Sequence, residues 1–317
     1  MPQNAKDADS HIGRRLKLRD LQILARVAQF GSMAKAAAHL STTQPTVSQA
    51  IADFEDAVGV RLFDRSTQGA VLTAYGEILM KRGAEAFDAL KQGMRDIEFL
   101  ATSGAGDVWV GCREVQLIGF LPAVIQRLAQ KHPKIIMHAT DVTVSENIHY
   151  LQDRKLDLII GGSAPLKQDD DLNSEILFEK SFTVVTGAQS PWARRRKVSL
   201  TELMDEAWLY GEPGNATQAR ISEAIAAKTG RLPRVATYTT SMNLRLALLV
   251  SGNYISCIPS SAYRLGSQGR PLKALPVDMN LKLPVALYTL KNRTLSPVVK
   301  LFIESARAVA KTMANNV

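Results

Sequence analysis

The residues best suited to chemistry in this 317-residue chain are a run of short polar side chains, Thr43-Gln44-Pro45-Thr46-Val47-Ser48-Gln49. Gln can pair bidentately with adenine, Thr and Ser can bond bases or phosphate, and the methyls of Thr46 and Ala52 can touch a thymine methyl. Such recognition needs the side chains lined up on one face of an exposed helix. The spacing provides this: Val47, Ile51, Phe54 and Val58 recur on one face, which sends Pro45, Gln49 and Ala52 outward. Thr46 and Ser48 fall on the flanks and Gln44 lies at the tip. Arg65, at the start of a following hairpin, is placed to hold a phosphate backbone or minor groove.

The flanking signals define the elements that carry this helix. Leu21, Leu24, Ala25 and Ala28 predict a helix ending at Gly31, and Ser32 can cap a second one bearing Ala36, Ala37 and Leu40. A threonine of Ser41-Thr42-Thr43 can cap the third, where Pro45 falls in the first turn and Gly59 ends the run. The stretch from Arg61 to Thr73 reads as short strands around Ser66-Thr67-Gln68-Gly69. Two short helices, a tight turn and a third helix exposing polar residues are what a major-groove reader requires.

Charge supports this locally rather than globally. The chain carries a formal net charge of +9, but residues 1–106 hold 13 Lys and Arg against 12 Asp and Glu, a surplus of +1; residues 107–317 hold 26 against 18, a surplus of +8. More telling is that no acidic residue occurs from Leu21 to Ala52, where Arg26 and Lys35 stand, just after Arg14, Arg15, Lys17 and Arg19. An acid-free surface can approach phosphates without repulsion. Asp53, Glu55 and Asp56 are expected at the helix end far from DNA.

From Ala74 to Thr102 there is no proline, and a seam of Leu79, Gly83, Ala86, Leu90, Gly93, Ile97 and Leu100 runs at 4-3 spacing. A lone helix of this length is marginal in water, so the stripe calls for a partner. We expect Leu79, Ala86, Leu90 and Ile97 to pair with a second copy. After the linker Ser103-Gly104-Ala105-Gly106 the grammar changes to alternating strands (Val108–Cys112, Ile135–Ala139, Leu156–Ile160, Phe182–Val185, Trp208–Tyr210, Ile255–Ile258, Val285–Leu290) and helices, with a last helix from Pro297 to Thr312. This implies a parallel sheet and two small α/β lobes. The expected domains are residues 1–73, 74–106 and 107–317.

Other chemistry is poorly represented. There is no phosphate-cradling glycine loop, no H-E-x-x-H and no G-x-S-x-G, and the five histidines share no metal-ligand spacing with Cys112 and Cys257. We therefore expect no catalytic residue, metal or cofactor. Both cysteines fall in apolar stretches and read as buried thiols. No apolar run reaches the roughly 18 residues of a membrane span, and the N-terminus lacks the apolar core of an export signal, so a cytoplasmic location without membrane contact is expected.

Gly31-Ser32-Met33, Ala36-Ala37, Leu40, Gln44-Pro45-Thr46-Val47-Ser48, Phe54-Glu55, Gly59, Leu62-Phe63-x-Arg65 and Leu72-Thr73-x-x-Gly76 together closely resemble the LysR-type transcriptional regulators. Phe54 stands where that family commonly has Leu, and Gln68 where its wing often has a second basic residue. Leu121-Pro122, Pro133, the Leu151-to-Asp157 stretch and Gly252 with Pro259 fall where the family's effector-domain landmarks would. The resemblance implies an α/β fold class: an N-terminal winged helix-turn-helix, a long dimerisation linker helix, and a two-lobed effector domain like periplasmic solute-binding proteins. It implies duplex DNA and RNA polymerase as partners, a homodimer or homotetramer, and a small effector between the lobes.

Candidate effector contacts lie at loop-to-helix junctions, where free N–H groups and the helix dipole suit a small anion such as a carboxylate. They are Gln116, Thr143, Ser145, Thr240 and Ser241; Val115 occupies a place where the family often has Ser or Thr. Asn147, Asn215 and Thr217 stand at similar junctions, and for each Ser or Thr among all these residues serving as a helix cap is the simpler role. A regulator that binds DNA without any effector, and a solute-binding protein, are the alternatives left open by the residues alone.

Overall fold

The computed structural model describes residues 17–66, 69–142, 148–162, 171–266 and 268–314. They form two compact units divided within one long helix, between Lys91 and Gln92, and each is described by itself.

The first unit begins with three short helices, α1 (Leu18–Phe30), α2 (Met33–His39) and α3 (Gln44–Val58). Gly31 and Gly59 end α1 and α3 at φ values of 60° and 74°, a left-handed conformation that a side chain would disfavour. Ser32 caps α2 and Thr43 caps α3, each accepting a backbone N–H three residues on. The helices close on Ile23, Leu24, Val27, Ala36, Val47, Ile51 and Phe54, all buried. Phe54 fills this core with an aromatic ring, where its burial is worth about 1.5–3 kcal/mol. Strands β1 (Phe63–Ser66) and β2 (Gly69–Leu72) pair antiparallel as a wing, from Phe63 opposite Leu72 to Ser66 opposite Gly69. The turn residues Thr67 and Gln68 lie outside the described residues. Helix α4 (Ala74–Ala101) follows and runs for 28 residues.

The second unit contains the end of α4, β3 (Gly106–Cys112), α5 (Glu114–Gly119), α6 (Leu121–Lys131), β4 (Ile135–Asp141), α7 (His149–Gln152), β5 (Leu158–Gly162), β6 (Leu172–Gly187), β7 (Trp208–Tyr210), α8 (Ala216–Thr229), β8 (Val235–Tyr238), α9 (Met242–Val250), β9 (Ile255–Pro259), α10 (Ser260–Gly266), β10 (Leu272–Leu290) and α11 (Pro297–Ala314). Pro122 belongs to the first turn of α6, and the chain breaks between α5 and α6 at Phe120.

The strands order as β4-β3-β5-β10-β6-β9-β7-β8. Within each lobe the short strands are parallel: β3 lies between β4 and β5, and β7 between β8 and β9. The sheet as a whole is mixed rather than parallel, because β10 runs antiparallel to both β5 and β6, and β6 antiparallel to β9. The chain crosses between lobes on β6 and returns on β10, and two successive crossings in opposite directions place these long strands side by side with opposed sense. Sequence periodicity detected only the end segments of these strands.

Helices cover both faces of each lobe. In lobe I, α6 and α11 bury Val124, Leu128, Phe302 and Ile303 against β3 and β5, while Leu151 and Leu156 pack on the opposite face. In lobe II, Ile221 and Ile225 of α8 cover Trp208 and Ile255, and Leu246 and Leu249 of α9 cover Leu209 and Ile258. Lobe I also holds the end of α4: the Arg95 guanidinium lies 4.6 Å over the Trp109 ring and 3.6 Å from Asp157. Asp157 is buried, accepts the Trp109 backbone N–H at 3.0 Å, and pairs with buried Arg293 at 3.0 Å. Among the described residues no helix is long and apolar enough to cross a membrane.

Candidate nucleic-acid interface and interlobe cleft

On α3 the inner face is closed by Val47, Ile51 and Phe54, and the polar residues stand on the other side. Thr43, Gln44, Pro45, Thr46 and Gln49 are exposed, Ser48 is half-buried, and Lys35 is exposed on α2. Three of these side chains already have intramolecular work. The Thr43 hydroxyl caps the helix and lies 2.8 Å from that of Thr46, and Gln49 Nε2 donates to Asp53 Oδ1 at 2.8 Å. These are exposed hydrogen bonds of small net strength in water, easily exchanged for a base or phosphate.

Glu55 has a role that its spacing did not reveal. Its carboxylate accepts the backbone N–H groups of Leu62 and Phe63 at 2.7 and 3.1 Å, and pairs with Arg65 Nη2 at 3.1 Å. It ties the wing to α3 and orients Arg65, whose side chain stays 45% exposed. The one signal that could have announced this is an acid followed by a strand start eight residues later.

Along α4 the seam divides. Leu79 is half-buried against the apolar core of the first unit, and Gly83 is buried, with space for a Cβ closed by Leu21 at 3.1 Å. Ala86 is exposed, as are Leu90, Met94, Ile97 and Leu100, with 50%, 66%, 60% and 79% of their surface open.

In the second unit a cleft of about 120 Å³ opens between the lobes, lined by Arg113, Glu114, Val115 and Gln116 from lobe I and by residues of lobe II that include Thr239, Thr240, Met242, Arg245 and Cys257. Lys180 and Phe182 of the crossing strand β6 form its floor. Gln116 is buried with Oε1 unpartnered, and Thr240 lines the cleft. Ser241 instead caps α9, accepting the Leu244 N–H at 3.2 Å. Asn215 caps α8 through Gln218 N–H and still lines the cleft with Thr217. Thr143, Ser145 and Asn147 lie outside the described residues. Val115 packs with Ile118 against the apolar cluster of lobe II, so it joins the lobes rather than offering a polar contact.

The cleft's strongest charges are two buried cations that composition and spacing did not single out. Lys180 is 8% exposed, and its ammonium has no hydrogen bond or ion pair among the described residues, only the Phe182 ring at 5.6 Å. Burial pulls its pKa down to about 8. Arg245 is buried on α9; one Nη2 bond reaches the Thr239 carbonyl at 3.0 Å, while Nε has no partner. Arg245 is a lone cation inside the apolar run Leu244-Arg245-Leu246, and Lys180 alternates with Phe178 and Phe182 on the buried face of a strand whose other face carries Glu179 and Ser181; those local contrasts are the signal a sequence reading could have used. The facing acids are Glu114 and Glu212. Glu114 is occupied: its carboxylate accepts the backbone N–H groups of Met242 and Asn243 at the start of α9. Cys257 is a buried thiol with its pKa raised to about 12 by burial, and so is Cys112. Among the described residues no group of acids, histidines and cysteines could hold a metal ion.

Comparisons with known proteins follow the same division. Residues 18–77 match the family model described as bacterial regulatory helix-turn-helix protein, lysR family, and residues 101–311 match the LysR substrate binding domain. The uncharacterized HTH-type transcriptional regulator YdcI of Escherichia coli is 26% identical over 302 residues, covering 95% of this chain and 98% of its own. Among solved structures, a full-length OxyR from Pseudomonas aeruginosa superposes with a TM-score of 0.63 at 22% identity, covering 93% of this chain and 97% of its own. Full-length CbnR in complex with its target DNA superposes with a TM-score of 0.61 at 19% identity, covering 93% and 100%.

Proposed function

Because the chain belongs to the LysR family of DNA-binding transcriptional regulators, we propose that α3 reads an operator through Gln44, Pro45, Thr46, Ser48 and Gln49, and that a small anion in the interlobe cleft governs the outcome. Thr43, Lys35 and Arg65 serve the phosphate backbone, whose contacts fix register without reading sequence. The exposed stripe of Ala86, Leu90, Met94, Ile97 and Leu100 joins two copies, so that two readers meet half-sites on one face of the duplex. Leu79 contributes at the edge of that stripe from its half-buried place. Such dimers act singly or in pairs as a tetramer, and the assembly works in the cytoplasm by altering access of RNA polymerase to the promoter.

The observation that carries the anion is the buried ammonium of Lys180, which has no hydrogen bond or ion pair among the described residues and lines the same cleft as Arg245. An uncompensated buried charge is costly, and a bound anion removes the cost. Gln116 and Thr240 complete the ligand's surroundings, with Thr143 and Ser145 as further candidates. A ligand held by both lobes favours their closed arrangement and can shift regulation only by binding the two arrangements unequally. The cleft also favours a ligand-responsive regulator over a constitutive one, since a constitutive regulator needs no buried cation there. The test is selection of bound duplexes from a random pool, then anisotropy titration of the selected operator with and without small carboxylates. Operator affinity or bend angle that no anion changes would sink the sensing half; a pool with no enriched sequence would sink the reading half.

A further inference from the structure

The same cleft contains a second unmet demand. At its lobe I wall, Gln116 is 4% exposed and the buried Oε1 of its amide has no hydrogen-bond partner among the described residues, while Lys180 lines the same cleft with no hydrogen bond or ion pair among them. Arg245 adds, on the lobe II side, an Nε without a partner among the described residues. A simple carboxylate would answer the two cations and leave the amide unpaired. Between these groups the walls offer Val115, Phe182, Ile221 and Met242, which suit a short carbon skeleton.

We infer that the cleft takes a small hydroxy acid, with the carboxylate on Lys180 and Arg245 and the hydroxyl on Gln116. The inference rests on the anion reading above and adds the second group. A hydroxyl both donates and accepts, so it pairs with the amide whichever of its two atoms faces inward; an ammonium or a carbonyl would satisfy only one orientation. Size narrows the class. The cleft measures about 120 Å³, and an apolar cavity of roughly 150 Å³ takes up benzene, so the ligand has about five to seven heavy atoms. That range covers hydroxy acids of two or three carbons. Glu114 does not oppose the carboxylate strongly, because backbone N–H groups of Met242 and Asn243 and the Asn243 side chain already compensate its charge. A site built to bond a ligand hydroxyl rejects the analogue lacking it, since its own polar group is then buried unpaired.

The experiment is isothermal titration of the full chain with glycolate and acetate, and with lactate and propionate, each pair differing by one hydroxyl. The expected result is at least tenfold tighter binding of the hydroxy acid in each pair. Gln116→Leu should erase that ratio while leaving propionate affinity within about twofold, and Lys180→Met should abolish all four. Gln116→Met, closer in shape, gives the same reading if Gln116→Leu fails to fold by circular dichroism. Equal affinity for lactate and propionate, both lost in Lys180→Met, overturns the hydroxyl assignment and leaves the anion reading standing. Binding indifferent to Lys180→Met, or no binding by any of the four, overturns both.

Discussion

The Glu114 carboxylate accepts the backbone N–H of Asn243 at 3.0 Å and its side-chain Nδ2 at 2.7 Å, across 129 residues of chain. Glu114 opens α5 in lobe I and Asn243 lies in the first turn of α9 in lobe II, so this is a bridge between lobes. The helix N-terminus that receives it carries free N–H donors and a partial positive charge. Lobe I thereby supplies an internal anion to lobe II at the rim of the cleft.

Removing that bridge should loosen the closed arrangement. Hydrogen bonds to a charged group contribute about 1.5–3 kcal/mol, and Glu114 is half-exposed, so Glu114→Ala should cost the second unit about 1–2 kcal/mol. Urea unfolding followed by tryptophan fluorescence measures this. A variant as stable as the parent would show that the bridge contributes nothing to closure.

Lys180 makes a prediction in pH. Its pKa is about 8 in the folded chain against an ordinary 10.5, so the folded state binds its proton less tightly than the unfolded state does. The resulting penalty is fully present below about pH 8 and lifts as pH rises toward 10.5; for a shift of this size it is on the order of 3 kcal/mol. Lys180→Met should therefore be more stable than the parent at pH 7, and the gap should narrow steadily to pH 10. Thermal midpoints of the two proteins across that range decide it. In the parent, anion affinity should decline above about pH 8 as the ammonium is lost.

The two DNA-facing roles separate by salt and sequence. Gln49→Ala should cost about 1–3 kcal/mol on the selected operator and little on a scrambled duplex. Arg65→Ala should weaken both equally and flatten the dependence of log affinity on log salt by about 1. Anisotropy titrations at several salt concentrations read both; identical behaviour of the two variants would refute the division of labour.

The exposed stripe on α4 predicts an assembly defect without a folding defect. Leu90 and Ile97 are 50% and 60% exposed, so Glu at both positions leaves the core of each unit untouched. Sedimentation velocity of Leu90→Glu/Ile97→Glu should show monomers at concentrations where the parent is dimeric or larger, with unchanged helix content.

What could be read before folding was whatever depends on near neighbours. The caps Ser32 and Thr43, the stops Gly31 and Gly59, and the inward set Val47, Ile51 and Phe54 act within a few residues, because a helix satisfies its backbone and shows its faces locally. The reading helix, the wing and the long α4 were legible for that reason. Lys180 and Arg245 were not, although Arg245 interrupts an apolar run and Lys180 alternates with Phe178 and Phe182, because burial is a property of the neighbours. Sheet order seats β6 beside β10 and β9, and the chain's double crossing carries Gln116, Lys180 and Arg245 to one cleft from three distant segments. Whether a cation meets water, a carboxylate or nothing is settled by that long-range closure, and the same closure turned an expected parallel sheet into a mixed one.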